Sequence, residues 1–322
     1  MSLVSLEERG TNLVECGTKD KVYKYCANYG YGVCNWVLTE NSANGVFCPA
    51  CSVNRTIPNL NSEINRSRWR KIEVAKHRLI YSFLRLKLPF NTPDHPLVFD
   101  FKEETDGEKI ITGHADGVIT INIAEADEVE RTKNKQDLGE RYRTLLGHFR
   151  HESGHYFWDV LIRDDHEKLQ GFRHLFGDER KDYNEALKAY YNSDFQSNWM
   201  NNFISPYATA HPWEDWAESW AHYLHMMDTL ETAFAFGLGI NPENEDMLTT
   251  QITKDPYEIK NFTRLVKMWL PLTFALNSLN RSMGHQDFYP FVISAPVIEK
   301  LSYIHELCLN HEPVYAITGS PR

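Results

Sequence analysis

The 322-residue chain is 42% hydrophobic, which suffices for a sizeable core, and it contains neither a signal-peptide-like apolar run nor the ~18 consecutive apolar residues of a membrane span. Its net charge of −10 arises beyond residue 90, because residues 1–90 hold 13 Lys and Arg against 7 Asp and Glu. These properties predict a cytoplasmic protein, exclude a membrane protein, and argue against nucleic acid as the main ligand, since nucleic-acid binding relies on neutralising phosphates.

A cluster of cysteines indicates that residues 1–60 form a small module of their own. The pattern Cys26-x7-Cys34-x13-Cys48-x2-Cys51 supplies four thiolates, two of them at a spacing that can place both sulfurs on one ion. A closed four-cysteine site has no open position for water, so it predicts a structural zinc that stabilises a segment too small to fold around a core. Free or redox-active cysteines are the alternative, because only half of the cluster has the tight spacing.

From residue 61 the pattern changes to that of one larger α+β domain, predicted to span 61–322. Its first element, within 61–90, is a basic amphipathic helix that links the two parts and ends before Pro89. Short β-rich runs separated by the turn signals Asp106-Gly107 and Asp116-Gly117 then predict a small antiparallel sheet, with strands at 97–101, 109–112 and 118–123. The remainder is mainly helical, with helices predicted at 138–162, 178–191, 213–236, 256–282 and 295–309.

The predicted helix at 138–162 contains the motif His-Glu-x-x-His, formed by His151, Glu152 and His155. Positions i and i+4 lie on one helix face, so both imidazoles can converge on one ion while Glu152 reaches a water bound to it. A bound Zn²⁺ lowers the pKa of that water towards about 7, and the carboxylate accepts its proton as the water attacks a carbonyl. The motif therefore predicts a zinc-dependent hydrolase of peptide bonds, with an ordinary helix that carries two histidines as the alternative.

Zinc needs a third protein ligand, and the helix predicted at 213–236 can supply it. Glu214, Glu218, His222 and His225 share one face of this helix. Glu214, in the first turn, is the candidate ligand, and Glu218 is the candidate to orient a ligating histidine. For His222 and His225, packing or hydrogen bonding is preferred over ligation.

Three segments together give a specific family resemblance. They are YCANYGYGVCNW with the following FCPAC, then HFRHESGHYFWD, and finally AHPWEDWAESWAHYLHMMDTLETA. In these segments the chain resembles a bacterial family of zinc-binding metallopeptidases that carry an N-terminal zinc ribbon. The resemblance implies a zinc-ribbon-like module before a zincin-like catalytic domain, one catalytic and one structural zinc ion, and a peptide or protein substrate.

Wider resemblances bear on individual residues. The Glu-x-x-x-Glu element is similar to that of gluzincins, whose first glutamate ligates zinc while the second supports a histidine, and this favours Glu214 over Glu218 as the ligand. Anthrax lethal factor-like peptidases place a tyrosine seven residues before the ligand glutamate, where it stabilises the oxyanion. Tyr207 stands at that position, so the resemblance implies this role for it, with core packing as the alternative. The family carries a further Cys-x-x-Cys ribbon upstream, where this chain has only Cys16.

Two functions of different classes compete at this point. The leading one is a metallopeptidase whose substrate lies extended against the edge of the strand at 117–123. The alternative is a non-catalytic zinc-ribbon protein that binds nucleic acid or a protein partner through its cysteine module and basic helix. Glu152 distinguishes the two, because a binding module does not need a base beside two ligand histidines.

Overall fold

A computed structural model describes residues 6–9, 12–15, 22–39, 42, 45–105, 109–127, 144–192, 198–243 and 248–311. Three features of the sequence analysis lie outside these ranges: Cys16, the turn signal at Asp106-Gly107, and the first part of the helix predicted at 138–162. The chain divides into two compact units, one made of the described residues up to Phe149 and one running from Arg150 to His311.

The first unit begins with a four-stranded antiparallel sheet. Its strands pair in chain order and are β1 (Leu6–Arg9), β2 (Asn12–Glu15), β3 (Val22–Tyr25) and β4 (Val37–Thr39). Cys26 directly follows β3, Cys34 shortly precedes β4, and a turn closed by the hydrogen bond from Cys51 N to Cys48 O precedes β5 (Asn54–Thr56). The cysteines therefore occupy the connections around these strands.

Helix α1 (Glu63–Leu86) follows β5 and lies within the range predicted for a helix. It begins at Ser62, whose side chain accepts a hydrogen bond from Asn65 N, and ends at Lys87, which has a left-handed φ of 57°. Its apolar stripe is fully buried and includes Trp69, Leu79 and Phe83. The apolar residues that recur at helical spacing in the sequence therefore form the face of α1 that packs against the core.

A second sheet of the first unit has the order β5, β6 (Val98–Lys102), β8 (Val118–Asn122) and β7 (Gly113–Ala115). Strand β6 pairs in parallel with both β5 and β8, and only β7 and β8 are antiparallel, so the sheet is mixed where an antiparallel one was predicted. The strand predicted at 109–112 does not form. At its end the Thr112 hydroxyl, instead of a backbone carbonyl, accepts from Asn122 N at 3.1 Å.

The predicted turn at Asp116-Gly117 is confirmed and joins β7 to β8. Both residues have positive φ, 48° and 77°, as tight hairpin turns require, and a Cβ at Gly117 would lie 2.0 Å from the carbonyl oxygen of Pro96. Strand β8 is consequently flanked by β6 and β7. The prediction that a substrate pairs with the edge of the strand at 117–123 is therefore wrong, because β7 forms the edge.

The second unit is mainly helical. Its helices are α2 (Leu145–Leu161, entered from the end of the first unit), α3 (His166–Phe176), α4 (Tyr183–Asn192), α5 (Pro212–Ala235), α6 (Phe262–Ser282) and α7 (Ala295–Asn310), with a two-stranded ribbon of β9 (Gly239–Ile240) and β10 (Thr250–Gln251). Trp216, Trp220 and Trp269 are fully buried. The predicted fold class, mainly helical α+β with small sheets, is confirmed. None of the described helices is both long and apolar enough to cross a membrane.

Candidate functional site

Helices α2 and α5 approach each other closely at a glycine inside the His-Glu-x-x-His motif. A Cβ at Gly154 would lie 2.8 Å from Cα of Ala217, so only glycine permits this separation. Two indoles of α5 fix the contact, because Trp216 Nε1 donates to Gly154 O at 2.7 Å and Trp220 Nε1 donates to Ser153 Oγ at 3.2 Å. The close approach brings the histidines of α2 opposite the first turns of α5.

The start of α5 is set by local sequence. His211 is the N-cap, its Nδ1 accepting from Trp213 N at 3.1 Å, and Pro212 occupies the first helical turn, where the missing N–H is not needed. Farther along the first turn, Asp215 is held by Lys300 of α7, with Nζ 2.6 Å from Oδ2. These contacts place Glu214, which is 1% exposed, on the side of α5 that faces α2.

Three side chains converge as the sequence predicted for a metal site. His151 Nε2 lies 3.0 Å from Glu214 Oε2 and 3.3 Å from His155 Nε2, and His155 Nε2 lies 3.6 Å from Glu214 Oε1. One ligand atom from each residue can therefore sit within 4.8 Å of the other two. Among the described residues, Glu214 Oε2 is buried with no hydrogen-bond partner of acceptable geometry. A buried carboxylate oxygen of this kind is costly unless a cation satisfies it, so the donor set fits a zinc ion.

Glu218 contacts the other nitrogen of a candidate ligand. Its Oε1 lies 2.7 Å from Nδ1 of His151, and Ser205 also hydrogen-bonds to this carboxylate. A carboxylate on the far nitrogen fixes the ring orientation of a metal-ligating histidine and leaves Nε2 directed at the ion. This geometry matches the role that the sequence predicted for Glu218.

Tyr183 belongs to the site although no motif in the sequence indicates it. Its hydroxyl donates a hydrogen bond of 2.6 Å to Glu214 Oε1, from helix α4. The predicted residue Tyr207 also lies here, with its ring centroid 5.9 Å from that of His151. Tyr183 is 31 residues before Glu214, a separation that no local spacing rule connects, so only the packing of α4 reveals it.

The electrostatics of the site favour a charged carboxylate beside the histidines. Burial opposes ionisation of Glu214, but His155, His151 and the Tyr183 hydroxyl outweigh it and lower its pKa to about 2. Burial also opposes protonation of His151, yet Glu214 and Glu218 raise its pKa well above the usual 6.5. Burial lowers the pKa of His155 to about 4. At pH 7 Glu214 is therefore ionised and His155 is neutral, whereas His151 is protonated, so a metal that binds at Nε2 of His151 has to displace a proton.

Glu152 is half-buried beside the two histidines of α2. Burial and the charge of Glu214 are the two largest causes that raise the pKa of Tyr183 and Tyr207 well above 10. The negative charge of Glu152 is a smaller cause of the same shift. Both hydroxyls therefore keep their protons at neutral pH and remain hydrogen-bond donors.

His222 and His225 do not join the three converging residues. The His222 ring hydrogen-bonds through Nδ1 to the Tyr289 hydroxyl at 2.8 Å, and burial lowers its pKa to about 4. The His225 ring packs edge-on against Trp269, with ring centroids 5.9 Å apart. Packing, the preferred interpretation of both residues, agrees with these contacts.

The four predicted cysteines form a second cluster, in the first unit. The sulfurs of Cys26, Cys34, Cys48 and Cys51 all lie within 4.8 Å of one another and all are buried. Three of them accept backbone N–H groups at 3.4 Å, in the pairs Trp36 N to Cys34, Cys48 N to Cys26, and Cys51 N to Cys48. The Cys34 thiol and burial both raise the pKa of Cys48. Several thiolates so close together need a cation, so the cluster fits a structural zinc.

His77 of α1 also contacts the cysteine cluster, although no motif in the sequence indicates it. Its Nε2 lies 3.2 Å from Cys34 Sγ, and its ring packs edge-on against Trp36 with centroids 5.2 Å apart. Burial lowers its pKa despite the nearby Glu73, so the ring is neutral at pH 7. His77 lies 26 residues after Cys51, inside a helix whose pattern indicates only an amphipathic surface.

Comparison with known proteins identifies the family of the chain. The family described as "Putative zinc-binding metallo-peptidase" matches residues 65–307, and a zinc-ribbon domain family matches residues 1–62. Since the first match spans most of the chain, the protein belongs to this zinc-binding metallopeptidase family, and the resemblance recognised in the sequence is confirmed.

Relatives in this family include uncharacterized proteins of Mycobacterium tuberculosis and Mycobacterium bovis. The chain is 39% identical to each over 305 residues, which covers 92% of this chain and 87% of each relative. No solved structure matches the chain significantly.

Proposed function

We propose that the protein is a zinc-dependent metallopeptidase whose metal is held by His151, His155 and Glu214. The observation that carries the proposal is the convergence of these three side chains, with the buried Glu214 Oε2 only 3.0 Å from His151 Nε2 but in no hydrogen bond of acceptable geometry among the described residues. Three protein ligands leave a fourth position open for water, which distinguishes a catalytic zinc from a structural one. The ligand set is that of a gluzincin.

When bound, zinc supplies a Lewis acid and a water of lowered pKa. Glu152, the carboxylate beside the two histidines, would act as the general base that takes a proton from the attacking water and returns it to the leaving amine. Glu218 holds the His151 ring in its ligating orientation through the 2.7 Å contact with Nδ1. The Tyr207 hydroxyl donates a hydrogen bond to the developing oxyanion, in the role that lethal factor-like peptidases give to their tyrosine.

A second zinc ion completes the proposal, held in the cysteine cluster as a structural ion. A zinc-ribbon-like module of residues 1–60 would thus precede a zincin-like domain of 61–322, a division supported by the ranges over which the two families match. The substrate is a peptide or protein, as the family description implies.

A peptide-library digest analysed by mass spectrometry tests the proposed activity. The protein purified without chelator should generate new peptide termini, and chelator should abolish them. Cleavage that persists in excess chelator would contradict a metal-dependent reaction.

Glu214→Ala should weaken metal binding to this site more than Glu218→Ala does. Glu214 contributes a bond and a charge to the ion, whereas Glu218 orients His151, a contribution whose loss costs about 10–100-fold in affinity. Chelator competition at the site, with zinc counted per chain, measures both variants. The two glutamates are matched controls for each other, being one turn apart on α5, and the opposite order of affinities would exchange their roles.

Tyr183→Phe and Tyr207→Phe should affect different quantities. Tyr183 donates to Glu214 Oε1 at 2.6 Å, so its loss should weaken zinc affinity by about tenfold, the scale of a lost hydrogen bond to a buried charge. Tyr207→Phe should leave zinc affinity unchanged and lower kcat by about 10²-fold, the scale of a lost oxyanion donor. Zinc affinity and steady-state kinetics are measured on both variants. The assignment would be contradicted if Tyr207→Phe bound zinc more weakly and Tyr183→Phe lowered kcat without a change in zinc affinity.

A further inference from the structure

The cysteine cluster contains a fifth donor atom, Nε2 of His77. It lies 3.2 Å from Cys34 Sγ, 3.7 Å from Cys48 Sγ and 3.9 Å from Cys51 Sγ, while the sulfurs of Cys34 and Cys48 are 3.7 Å apart. In a tetrahedral zinc site, bond lengths of about 2.3 Å to sulfur and 2.0 Å to nitrogen separate two sulfurs by about 3.8 Å and a nitrogen from a sulfur by about 3.5 Å. His77 Nε2 thus lies where a fourth ligand of those three sulfurs belongs.

The other ring nitrogen determines which atom is available to a metal. Nδ1 of His77 donates to the carbonyl oxygen of Glu73 at 2.6 Å and lies 3.3 Å from Oε2 of the same residue. A neutral histidine has one ring proton, so a proton on Nδ1 leaves a lone pair on Nε2. The Nε2 lone pair faces three sulfurs, so it can accept a thiol proton or, once the sulfurs are deprotonated, bind the same cation as they do. A backbone carbonyl on the far nitrogen is also the common setting of a ligating histidine.

A closed zinc site takes four ligands, and this cluster offers five. Cys26 Sγ lies within 4.8 Å of the other three sulfurs and accepts a backbone hydrogen bond from Cys48 N at 3.4 Å, as thiolate ligands do. Cys34, Cys48 and Cys51 therefore form a face common to two ligand sets, one completed by Cys26 and the other by His77.

We propose that His77 is an alternative ligand of the metal in the cysteine cluster. It takes the fourth position when the Cys26 thiolate leaves, so that the ion stays bound by three sulfurs and one nitrogen. Helix α1 thereby supplies the ligand that replaces Cys26. The inference rests on the proposed metal at the cysteine cluster and is independent of the proposed hydrolysis.

The test uses the full chain with His151→Ala and His155→Ala, which remove the other proposed metal, so that zinc content and X-ray absorption report on the cysteine cluster alone. In this background Cys26→Ser should keep close to one zinc per chain, with three sulfur ligands and one nitrogen ligand. His77→Gln should keep the zinc with four sulfur ligands. The combination of Cys26→Ser and His77→Gln should lose it.

Cys48→Ser is the matched control, because it removes a sulfur of the common face and should lose the zinc with His77 intact. If Cys26→Ser lost its zinc as completely as Cys48→Ser, the inference would be overturned. Equal zinc content in Cys26→Ser and in the combination of Cys26→Ser with His77→Gln would overturn it as well. A background protein without zinc would remove both the metal proposed for the cluster and the inference, and would leave the hydrolytic proposal standing.

A measurement that leaves the cysteines intact guards against misfolding of the serine variants. If His77 captures the ion each time Cys26 dissociates, His77→Gln should release zinc to excess chelator at least about tenfold faster than the unsubstituted background, the usual scale for a lost metal-site contact. Equal release rates would overturn the inference.

Discussion

Glu152→Gln is expected to lower peptide cleavage by at least about 10²-fold while the protein keeps its zinc and its thermal stability. Glutamine preserves the size and hydrogen bonding of the side chain but cannot accept the proton of the attacking water, and a general base contributes about 10²–10⁴-fold to rate. A peptide found by the library digest is the substrate, and zinc content is measured on the same preparation.

Two comparisons make the Glu152 result specific. His151→Ala should lose the metal as well as activity, whereas Glu299→Gln, at an exposed glutamate of α7, should leave both unchanged. Cleavage by Glu152→Gln at the parent rate would contradict the mechanism even with zinc bound. The absence of cleavage across a broad library would instead favour the non-catalytic binding protein.

Replacing Cys48 and Cys51 together with serine should remove about one equivalent of zinc and destabilise the first unit. Apparent zinc-binding free energies of about 10–16 kcal/mol in zinc-finger peptides are folding free energies. For a unit of this size, each kcal/mol lost from the free energy of unfolding lowers the Tm by about 2–4 °C. A loss of several kcal/mol should therefore lower the Tm of the first unit by about 10 °C or more. Elemental analysis and calorimetry measure the two effects.

Cys308→Ser is the matched control for this double variant, because Cys308 is a buried cysteine of the second unit outside the cluster. It should retain the parent zinc content. If the parent contains one zinc and the Cys48→Ser, Cys51→Ser protein keeps it, the structural metal does not exist.

Features encoded by local spacing were predictable from the sequence. The periodic apolar residues and Pro212 predicted α5 to within a residue at each end, and the i, i+4 spacing predicted that His151 and His155 face one point. Helix α3 was missed because it is only 11 residues long; it begins at the Asp165 cap, whose carboxylate accepts hydrogen bonds from Glu167 N and Lys168 N.

Features that depend on distant packing were not predictable. The direction of pairing between β6 and β8 depends on the path of the connecting segment, which the alternation of side chains does not specify. Tyr183 and His77 reach their sites from helices without a motif, and only the packing of α4 and α1 places them beside Glu214 and Cys34.

Anomalous diffraction from crystals of the protein at the zinc absorption edge tests the central claim most directly, because it locates each ion and identifies its ligands. The predicted result is one peak bonded to His151 Nε2, His155 Nε2 and a carboxylate oxygen of Glu214, with a fourth position open, and a second peak within the cysteine cluster. A zinc-replete crystal with no peak at the two histidines and Glu214 would contradict the proposed active site.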